Sequence, residues 1–136
     1  MARLSPELIR LLETVVDGLE KVDIAWHVTT ATKPLTIDDL AQRTYLDVQT
    51  LRDAITDLVS AGVLVANEPP LGQLVPGPRA KSPDFETLMK HYTEDRILVV
   101  NTATRIAMER IRNMAASTFA DAFLLRPRRK KGDDDA

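Results

Sequence analysis

Residues 35–64 have the sequence LTIDDLAQRTYLDVQTLRDAITDLVSAGVL, which holds two helix start signals in close succession. Thr36 precedes an isoleucine and two aspartates, so its hydroxyl and the following acids can satisfy the free amides of a helix start. Asp47 offers a second cap shortly after Thr44, where the first of the two helices should stop. We therefore predict two short helices joined by a turn at residues 44–47.

The second of these helices has a clear apolar side, followed by signals for strands. Leu51, Ile55 and Leu58 recur at spacings of four and three, which places them on one helix face. Gly62 comes after the last turn, where glycine can adopt the left-handed conformation that closes a helix. Residues 63–67 and 73–76 are apolar stretches separated by proline and glycine, and they predict a small β-hairpin, or wing.

In order and spacing, residues 35–64 resemble the helix-turn-helix of bacterial winged-helix transcriptional regulators. Leu40 and Ala41 match the core of the positioning helix, and Leu46 matches the hydrophobic residue of the turn. Tyr45 departs from the pattern, because that turn position is usually glycine. The resemblance covers about a third of the chain. A winged helix followed by a long C-terminal helix is similar to dimeric regulators of the PadR and MarR kinds.

The flanking segments predict further helices. Ser5, Pro6 and Glu7 form a helix start, and an apolar stripe then continues to about Thr29, either as one helix or as two that break near Gly18. A second start lies at Ser82 and Pro83, and between Pro83 and Pro127 neither glycine nor proline occurs, so we predict one long helix. We predict a mainly α fold with an N-terminal helix or helices (residues 1–33), a winged helix-turn-helix (34–78), a long C-terminal dimerisation helix (79–125) and a disordered charged tail (126–136).

The composition is that of a globular protein with a helical core. Of 136 residues, 44% are hydrophobic and 28% charged, but only 4% are aromatic, so the core must consist mainly of Leu, Val, Ile and Ala. The absence of cysteine excludes disulfides and thiolate metal sites. No apolar run approaches the roughly 20 residues of a membrane span, and the N-terminus lacks a basic region followed by an apolar stretch. We therefore expect a soluble cytoplasmic protein without membrane contact.

Charge is distributed unevenly along the chain. Six Lys/Arg and eleven Asp/Glu lie between Met1 and Pro78, whereas the remainder holds twelve Lys/Arg and nine Asp/Glu. Five of those basic residues lie between Arg126 and Lys131. Because a nucleic-acid binder usually presents a basic face, this distribution bears directly on function.

The resemblance implies that the recognition helix, residues 47–61, lies in the major groove of DNA with its N-terminal side chains on the base edges. There Gln can pair with adenine, Arg with guanine, and the methyl groups of Val or Thr can touch a thymine methyl. Basic residues elsewhere would neutralise phosphates. The predicted DNA-binding residues are Arg43, Val48, Gln49, Thr50, Arg52, Thr56, Arg79, Lys81, Arg128, Arg129, Lys130 and Lys131.

Two hypotheses about function remain open, because this predicted interface is short of positive charge. Asp47, Asp53 and Asp57 outnumber Arg52 on the recognition helix, and residues 63–78 include no Lys or Arg. Phosphate neutralisation supplies much of the affinity for DNA. The first hypothesis is a homodimeric winged-helix DNA-binding transcriptional regulator. The alternative is a protein-interaction or scaffold module whose acidic recognition helix binds a protein partner instead of DNA.

The long helix carries too much apolar surface to stand alone, so we predict that it forms a homodimer together with the first helix. The predicted interface residues are Leu8, Leu12, Val99, Ile106, Ile111 and Phe119.

No motif in the sequence indicates catalysis or a bound cofactor. His27 and His91 lack a second ligand at metal-binding spacing, so we expect structural roles and no metal. Trp26 is expected in the core or at the wall of a pocket. Because we find no phosphate-binding glycine loop, no thiol and no grouped acid, base and hydroxyl, we predict that the protein is not an enzyme.

Overall fold

The computed structural model of the protein describes residues 3–67 and 72–132, with side chains up to residue 116. Internal contacts divide the chain into two compact units, Met1–Thr104 and Arg105–Ala136. The elements in chain order are α1 (Pro6–Thr14), α2 (Leu19–Thr30), α3 (Ile37–Thr44), α4 (Val48–Ser60), β1 (Leu64–Ala66), β2 (Leu74–Pro76), a 3-10 turn (Pro78–Lys81), α5 (Pro83–Glu94) and α6 (Arg96–Gly132). The predicted mainly α class is confirmed.

The N-terminal segment forms two helices. Ser5 caps α1, because its Oγ accepts a hydrogen bond of 3.4 Å from the Leu8 amide. The backbone of Gly18 has φ 142° immediately before α2, a conformation that residues with a Cβ rarely adopt. Gly18 therefore separates α1 from α2, which decides between the two alternatives that the sequence left open.

The helix-turn-helix forms as predicted. Thr36 and Asp39 make a reciprocal capping box at the start of α3, with the two hydrogen bonds at 3.1 and 3.0 Å. A carboxylate oxygen of Asp47 accepts from the Thr50 amide at 3.2 Å and caps α4. Between the helices, Tyr45 has φ 62°, so it adopts the left-handed conformation that glycine usually supplies at this position.

The wing is an antiparallel pair in which Val65 of β1 lies opposite Val75 of β2. Leu35 adds a bridge that the sequence did not suggest: its amide donates to the Leu74 carbonyl at 3.2 Å, and the Leu74 amide donates back at 2.8 Å. Residues 68–71, where we predicted the turn of the wing, lie outside the described residues. The order α3, turn, α4, β1, β2 confirms the winged-helix fold.

Two glycines hold the base of the wing against the end of α4. Gly62 has φ 82°, as expected for the residue that closes a helix. The amide of Gly77 donates to the Val63 carbonyl at 2.7 Å, and a Cβ on Gly77 would overlap the carbonyl oxygen of Gly62. The Gly62 conformation was predictable from the sequence, but the close approach of Gly77 was not.

The prediction of one uninterrupted helix after Ser82 was wrong, because Asp95 separates α5 from α6. Asp95 has φ −145° and ψ 68°, outside the helical region. Its Oδ1 accepts from the Leu98 amide at 3.3 Å, which starts α6. An aspartate can therefore end one helix and cap the next without glycine or proline.

The C-terminal end of α6 also differs from the expected boundary. We placed the end of the long helix at residue 125, whereas α6 continues to Gly132. No glycine occurs between Gly77 and Gly132, so the usual helix-ending residue is absent from this stretch. Residues 133–136 of the predicted disordered tail lie outside the described residues.

A cluster of aromatic and charged side chains ties α2 to α5 and to the start of α6. Trp26 Nε1 donates to Thr93 Oγ1 at 2.8 Å, and the Tyr92 hydroxyl donates to Asp23 Oδ1 at 2.9 Å. The Arg96 guanidinium lies 4.8 Å from the centre of the Trp26 ring and 4.5 Å from that of Tyr92. Trp26 is therefore a structural residue of this cluster, half-buried instead of wholly in the core.

Candidate nucleic-acid interface

Helix α4 presents one side to the core and the other to solvent. Leu51, Ile55 and Leu58 are fully buried, which fixes the rotation of the helix on the fold. The side chain of Val48 is 45% exposed. The exposed side of the helix also carries polar side chains, namely Gln49, Arg52, Asp53 and Thr56. Four of the predicted DNA-binding residues therefore lie on the accessible surface of one helix.

Several polar groups on this surface already have partners within α4 or its cap. The Gln49 amide donates to Asp53 Oδ1 at 2.9 Å, and the Thr56 hydroxyl donates to the Arg52 carbonyl at 2.8 Å. Thr50 is half-buried, and its hydroxyl donates to the capping carboxylate of Asp47 at 2.6 Å. Among the described residues, none forms an ion pair with the guanidinium of Arg52. Arg52 is consequently the cation of α4 that is available to an external partner.

The acidic residues of α4 are held in different ways. Hydrogen bonds from the Thr50 hydroxyl and amide lower the pKa of Asp47, so this carboxylate is charged at neutral pH. At the other end of the helix, Asp57 Oδ2 lies 3.0 Å from Lys21 Nζ. Lys21 thus offsets one of the three negative charges that the sequence places on this helix.

Lys21 reaches α4 from α2 and contacts two carboxylates. Its Nζ lies 2.6 Å from Asp17 Oδ1 in addition to Asp57. Burial lowers the pKa of Lys21, but the hydrogen bonds to Asp17 and Asp57 outweigh this effect, and the net pKa is raised. The sequence offered no signal for this contact, since Lys21 and Asp57 belong to separate helices and their distance along the chain follows no helical spacing.

The structure does not bring all of the predicted phosphate contacts to one end of α4. Arg43 is exposed in the last turn of α3, near the N-terminal end of α4. The Arg79 amide, by contrast, donates to the Gly62 carbonyl at 2.9 Å, which places Arg79 beside the C-terminal end. Lys81 follows in the same 3-10 turn. A helix of 13 residues is about 20 Å long, which separates Arg79 from the residues around Gln49. The side chains of Arg128, Arg129, Lys130 and Lys131 lie outside the described ones.

Three residues predicted at the dimer interface are used within their own chain. The side chains of Leu8, Leu12 and Val99 are 3%, 2% and 0% exposed. Helix α1 packs against α5, and Val99, Thr102 and Ala103 at the start of α6 are buried as well. The three predicted residues therefore leave no apolar surface for a second copy. Ile106 is half-buried and Ile111 is 66% exposed. The side chain of Phe119 lies outside the described ones.

The second unit carries an apolar surface of its own. The side chains of Met108 and Met114 are 57% and 66% exposed. Such high exposure is unusual for large hydrophobic side chains. Together with Ile111 and two exposed alanines, the two methionines recur at spacings of three and four along α6. We define the α6 stripe as Ala107, Met108, Ile111, Met114 and Ala115. The sequence interpretation identified Ile111 but missed both methionines.

His27 and the other potential metal ligands of the described residues do not form a metal site. His27 Nε2 lies 3.7 Å from Asp23 Oδ2, and burial lowers the pKa of this histidine. Within residues 3–67 and 72–116, no three His, Asp or Glu side chains are grouped in a way that would hold a metal ion. None of the helices, over their described residues, is both long and apolar enough to span a bilayer.

Comparisons with known proteins give limited similarity. No protein family matches the sequence, and no curated protein matches it either. One solved structure that is similar to this chain is the multiple antibiotic-resistance repressor (MarR) from Listeria monocytogenes 4b F2365. The two share 14% identity and a TM-score of 0.48 over 90% of this chain and 78% of that protein. The winged-helix fold itself follows from the elements and strand pairing of this chain.

Proposed function

We propose that the protein is a homodimeric winged-helix transcriptional regulator that binds duplex DNA through α4. The observation that carries this proposal is the exposed side of α4, where Val48, Gln49, Arg52 and Thr56 stand together on a helix anchored by its buried side. Helix-turn-helix proteins insert such a helix into the major groove. Arg52, Gln49 and Val48 have the chemistry to contact guanine, adenine and the thymine methyl group.

Dimerisation is part of the proposal because a single α4 contacts only one half-site. The α6 stripe supports it, since exposed apolar side chains at helical spacing are stabilised when a second helix covers them. Arg79 and Lys81 would then contact phosphates flanking each half-site, near the wing and not beside Gln49.

Binding to genomic DNA fragments across a salt series tests the proposal. Affinity should fall steeply between about 50 and about 200 mM salt, because bound phosphates release counterions. A double variant with Gln49→Ala and Arg52→Ala should bind DNA without sequence preference. Thr50 is not replaced, because its hydroxyl donates to the capping carboxylate of Asp47 and its loss would also destabilise α4. Absence of binding at the lowest salt contradicts the proposal.

A gain-of-affinity variant sharpens this test. Asp53→Ala removes a negative charge from the exposed side of α4 and releases the Gln49 amide from its 2.9 Å hydrogen bond. We expect tighter DNA binding by roughly 3- to 10-fold, because one repulsive contact with the phosphates is lost. The control is Glu86→Ala, which removes an exposed acid of α5, outside the winged helix. Equal effects from both variants would indicate a general change in net charge.

A second function is favoured by the acidic character of the same surface. Asp47 stays charged because its pKa is lowered, Asp53 is exposed, and residues 63–78 contribute no basic side chain. We propose as the alternative a winged-helix adaptor that binds protein and not DNA. If the protein fails to bind DNA at low salt and Asp53→Ala does not create binding, the adaptor is the better description.

A further inference from the structure

Tyr45 combines backbone strain with an exposed aromatic ring. Its φ of 62° lies in the left-handed region, which is unfavourable for a residue with a side chain relative to the right-handed region. The residue is nevertheless 91% exposed, so packing within the chain does not compensate for the strain. A glycine would make the same turn without this cost. The ring is therefore presented outward by a turn that does not need it.

A cleft lies next to this turn. Its volume is about 310 Å³, and it is lined by Leu19, Glu20, Asp23, Thr44 and Leu46. Thr44 and Leu46 flank Tyr45 in the sequence, and the first turns of α2 form the opposite wall. Leu19 is 37% exposed, which leaves apolar surface accessible in the cleft. We call these five residues together with Tyr45 the turn patch.

The charge of the turn patch is negative. Among the described residues, none forms an ion pair or hydrogen bond with the Glu20 carboxylate. Asp23 accepts from the Tyr92 hydroxyl, its Oδ2 lies 3.7 Å from His27 Nε2, and the Arg96 guanidinium is close to both neighbours, so Glu20 contributes the uncompensated negative charge of the patch. Lys21, on the same helix, is held by Asp17 and Asp57 instead. The turn patch thus offers carboxylates, two leucines and an aromatic ring without a basic residue.

We propose that the turn patch binds an arginine side chain presented by a segment of a protein partner. The guanidinium pairs with the carboxylates of Glu20 and Asp23 and stacks on the Tyr45 ring, since arginine engages both carboxylates and aromatic faces. The aliphatic stem of the arginine covers Leu19 and Leu46. A nucleic-acid backbone does not fit this surface, because its phosphates would face two carboxylates.

None of the six residues of the turn patch is among the predicted DNA contacts, although Arg43 and Val48 lie within two residues of it in the sequence. Failure of the DNA proposal and failure of this one can therefore be distinguished by measuring both activities on the same variants.

The test uses nuclear magnetic resonance of the full chain, isotopically labelled with ¹⁵N. The probe is an acetylated and amidated Leu-Arg-Leu peptide, and the control is the same peptide with citrulline, which keeps the shape of arginine but carries no charge. We expect saturable shifts of the backbone amides of the turn patch, with a dissociation constant on the order of 1 mM for so small a ligand. The arginine peptide should bind at least about 5-fold more tightly than the citrulline peptide.

Two variants locate the contact. Tyr45→Ala and Glu20→Gln should each weaken binding of the arginine peptide by about 3-fold or more, as loss of one cation–π or charged contact implies. Glu86→Gln is the matched control and should leave the dissociation constant unchanged. Circular dichroism verifies that both variants keep the helical fold.

Several results would overturn the proposal. These are equal shifts from the two peptides, shifts confined to residues outside the turn patch, or no shifts at the solubility limit of the peptide. A Tyr45→Ala variant that loses affinity for DNA but keeps its affinity for the peptide would also overturn it, because the ring would then face nucleic acid.

Discussion

The strain at Tyr45 leads to a prediction about stability. Asparagine tolerates the left-handed region better than other residues with a side chain, so Tyr45→Asn should raise the free energy of unfolding by roughly 0.5–1 kcal/mol. Tyr45→Ala keeps the Cβ and the strain and, because the ring is exposed, should change stability by less than about 0.5 kcal/mol. Urea denaturation measures both differences. A destabilised asparagine variant would contradict the assignment of strain.

A second residue, Tyr92, predicts a loss of stability at high pH. Burial and the hydrogen bond to Asp23 raise its pKa to about 12, above the value of about 10 for an unfolded tyrosine. The folded state thus holds this proton more tightly. The protonated Tyr92 hydroxyl contributes up to ~2–3 kcal/mol to the free energy of unfolding. This contribution is complete below about pH 10 and is lost as the pH rises to about 12.

Denaturation at pH 8 and pH 11 with Tyr92→Phe as the reference measures this contribution. Phenylalanine cannot ionise, so its variant should lose less stability between the two pH values than the natural protein. Lys21 also has a raised pKa and loses its contribution in the same direction, but it is present in both proteins and cancels. Equal losses in the two proteins would remove Tyr92 as the cause.

Local side-chain roles were predictable from the sequence, whereas distant pairs were not. Ser5, Thr36 and Asp47 each accept a hydrogen bond from an amide three residues later, and a spacing of three is visible in the sequence. The Tyr92 and Asp23 side chains are 69 residues apart, so their hydrogen bond exists only after α2 has packed on α5. The same reason hides the contact between Lys21 and α4.

At the scale of elements, Asp95 shows where the helix prediction failed and provides a test. Its neighbours are all compatible with helix, and only its own ability to cap indicates a break. Asp95→Ala should lower the free energy of unfolding by about 1 kcal/mol, because the Leu98 amide loses its side-chain acceptor. Asp95→Ser retains a capping oxygen and should lose less. Thermal denaturation of the two variants checks the order, and a more stable alanine variant would mean that α5 and α6 prefer to join.

The sequence predicted best those helices and strands whose signals lie within a few residues of each other. The helix-turn-helix and the wing follow from capping residues, apolar spacing and one glycine, and each of these acts within a few residues. The bridge from Leu35 to β2 joins residues far apart in the chain, and nothing near Leu35 marks it as a strand.

At the scale of the whole molecule, self-association should depend on the α6 stripe. Replacing both Ile111 and Met114 by Glu should weaken dimerisation by at least about 100-fold, since each large apolar side chain contributes about 1.5–3 kcal/mol when buried. Sedimentation velocity at micromolar concentration measures the effect.

The control for this experiment changes charge equally on another side of the helix. Asn113→Glu with Ala116→Glu adds the same two negative charges at exposed positions outside the stripe and should leave the dimer intact. Equal dissociation in both double variants would indicate repulsion instead of an apolar contact. A natural protein that sediments as a monomer would remove the homodimer from the proposed function.

The contact between Lys21 and Asp57 limits how far the winged helix can be transplanted. A chimaera that carries only residues 34–78 into a foreign protein leaves Lys21 behind, together with the rest of α2. Its recognition helix would then bear an uncompensated carboxylate and repel DNA more strongly than the parent does. Exchange of binding specificity between such proteins therefore requires the preceding helix to travel with the module, or Asp57 to be neutralised in the graft.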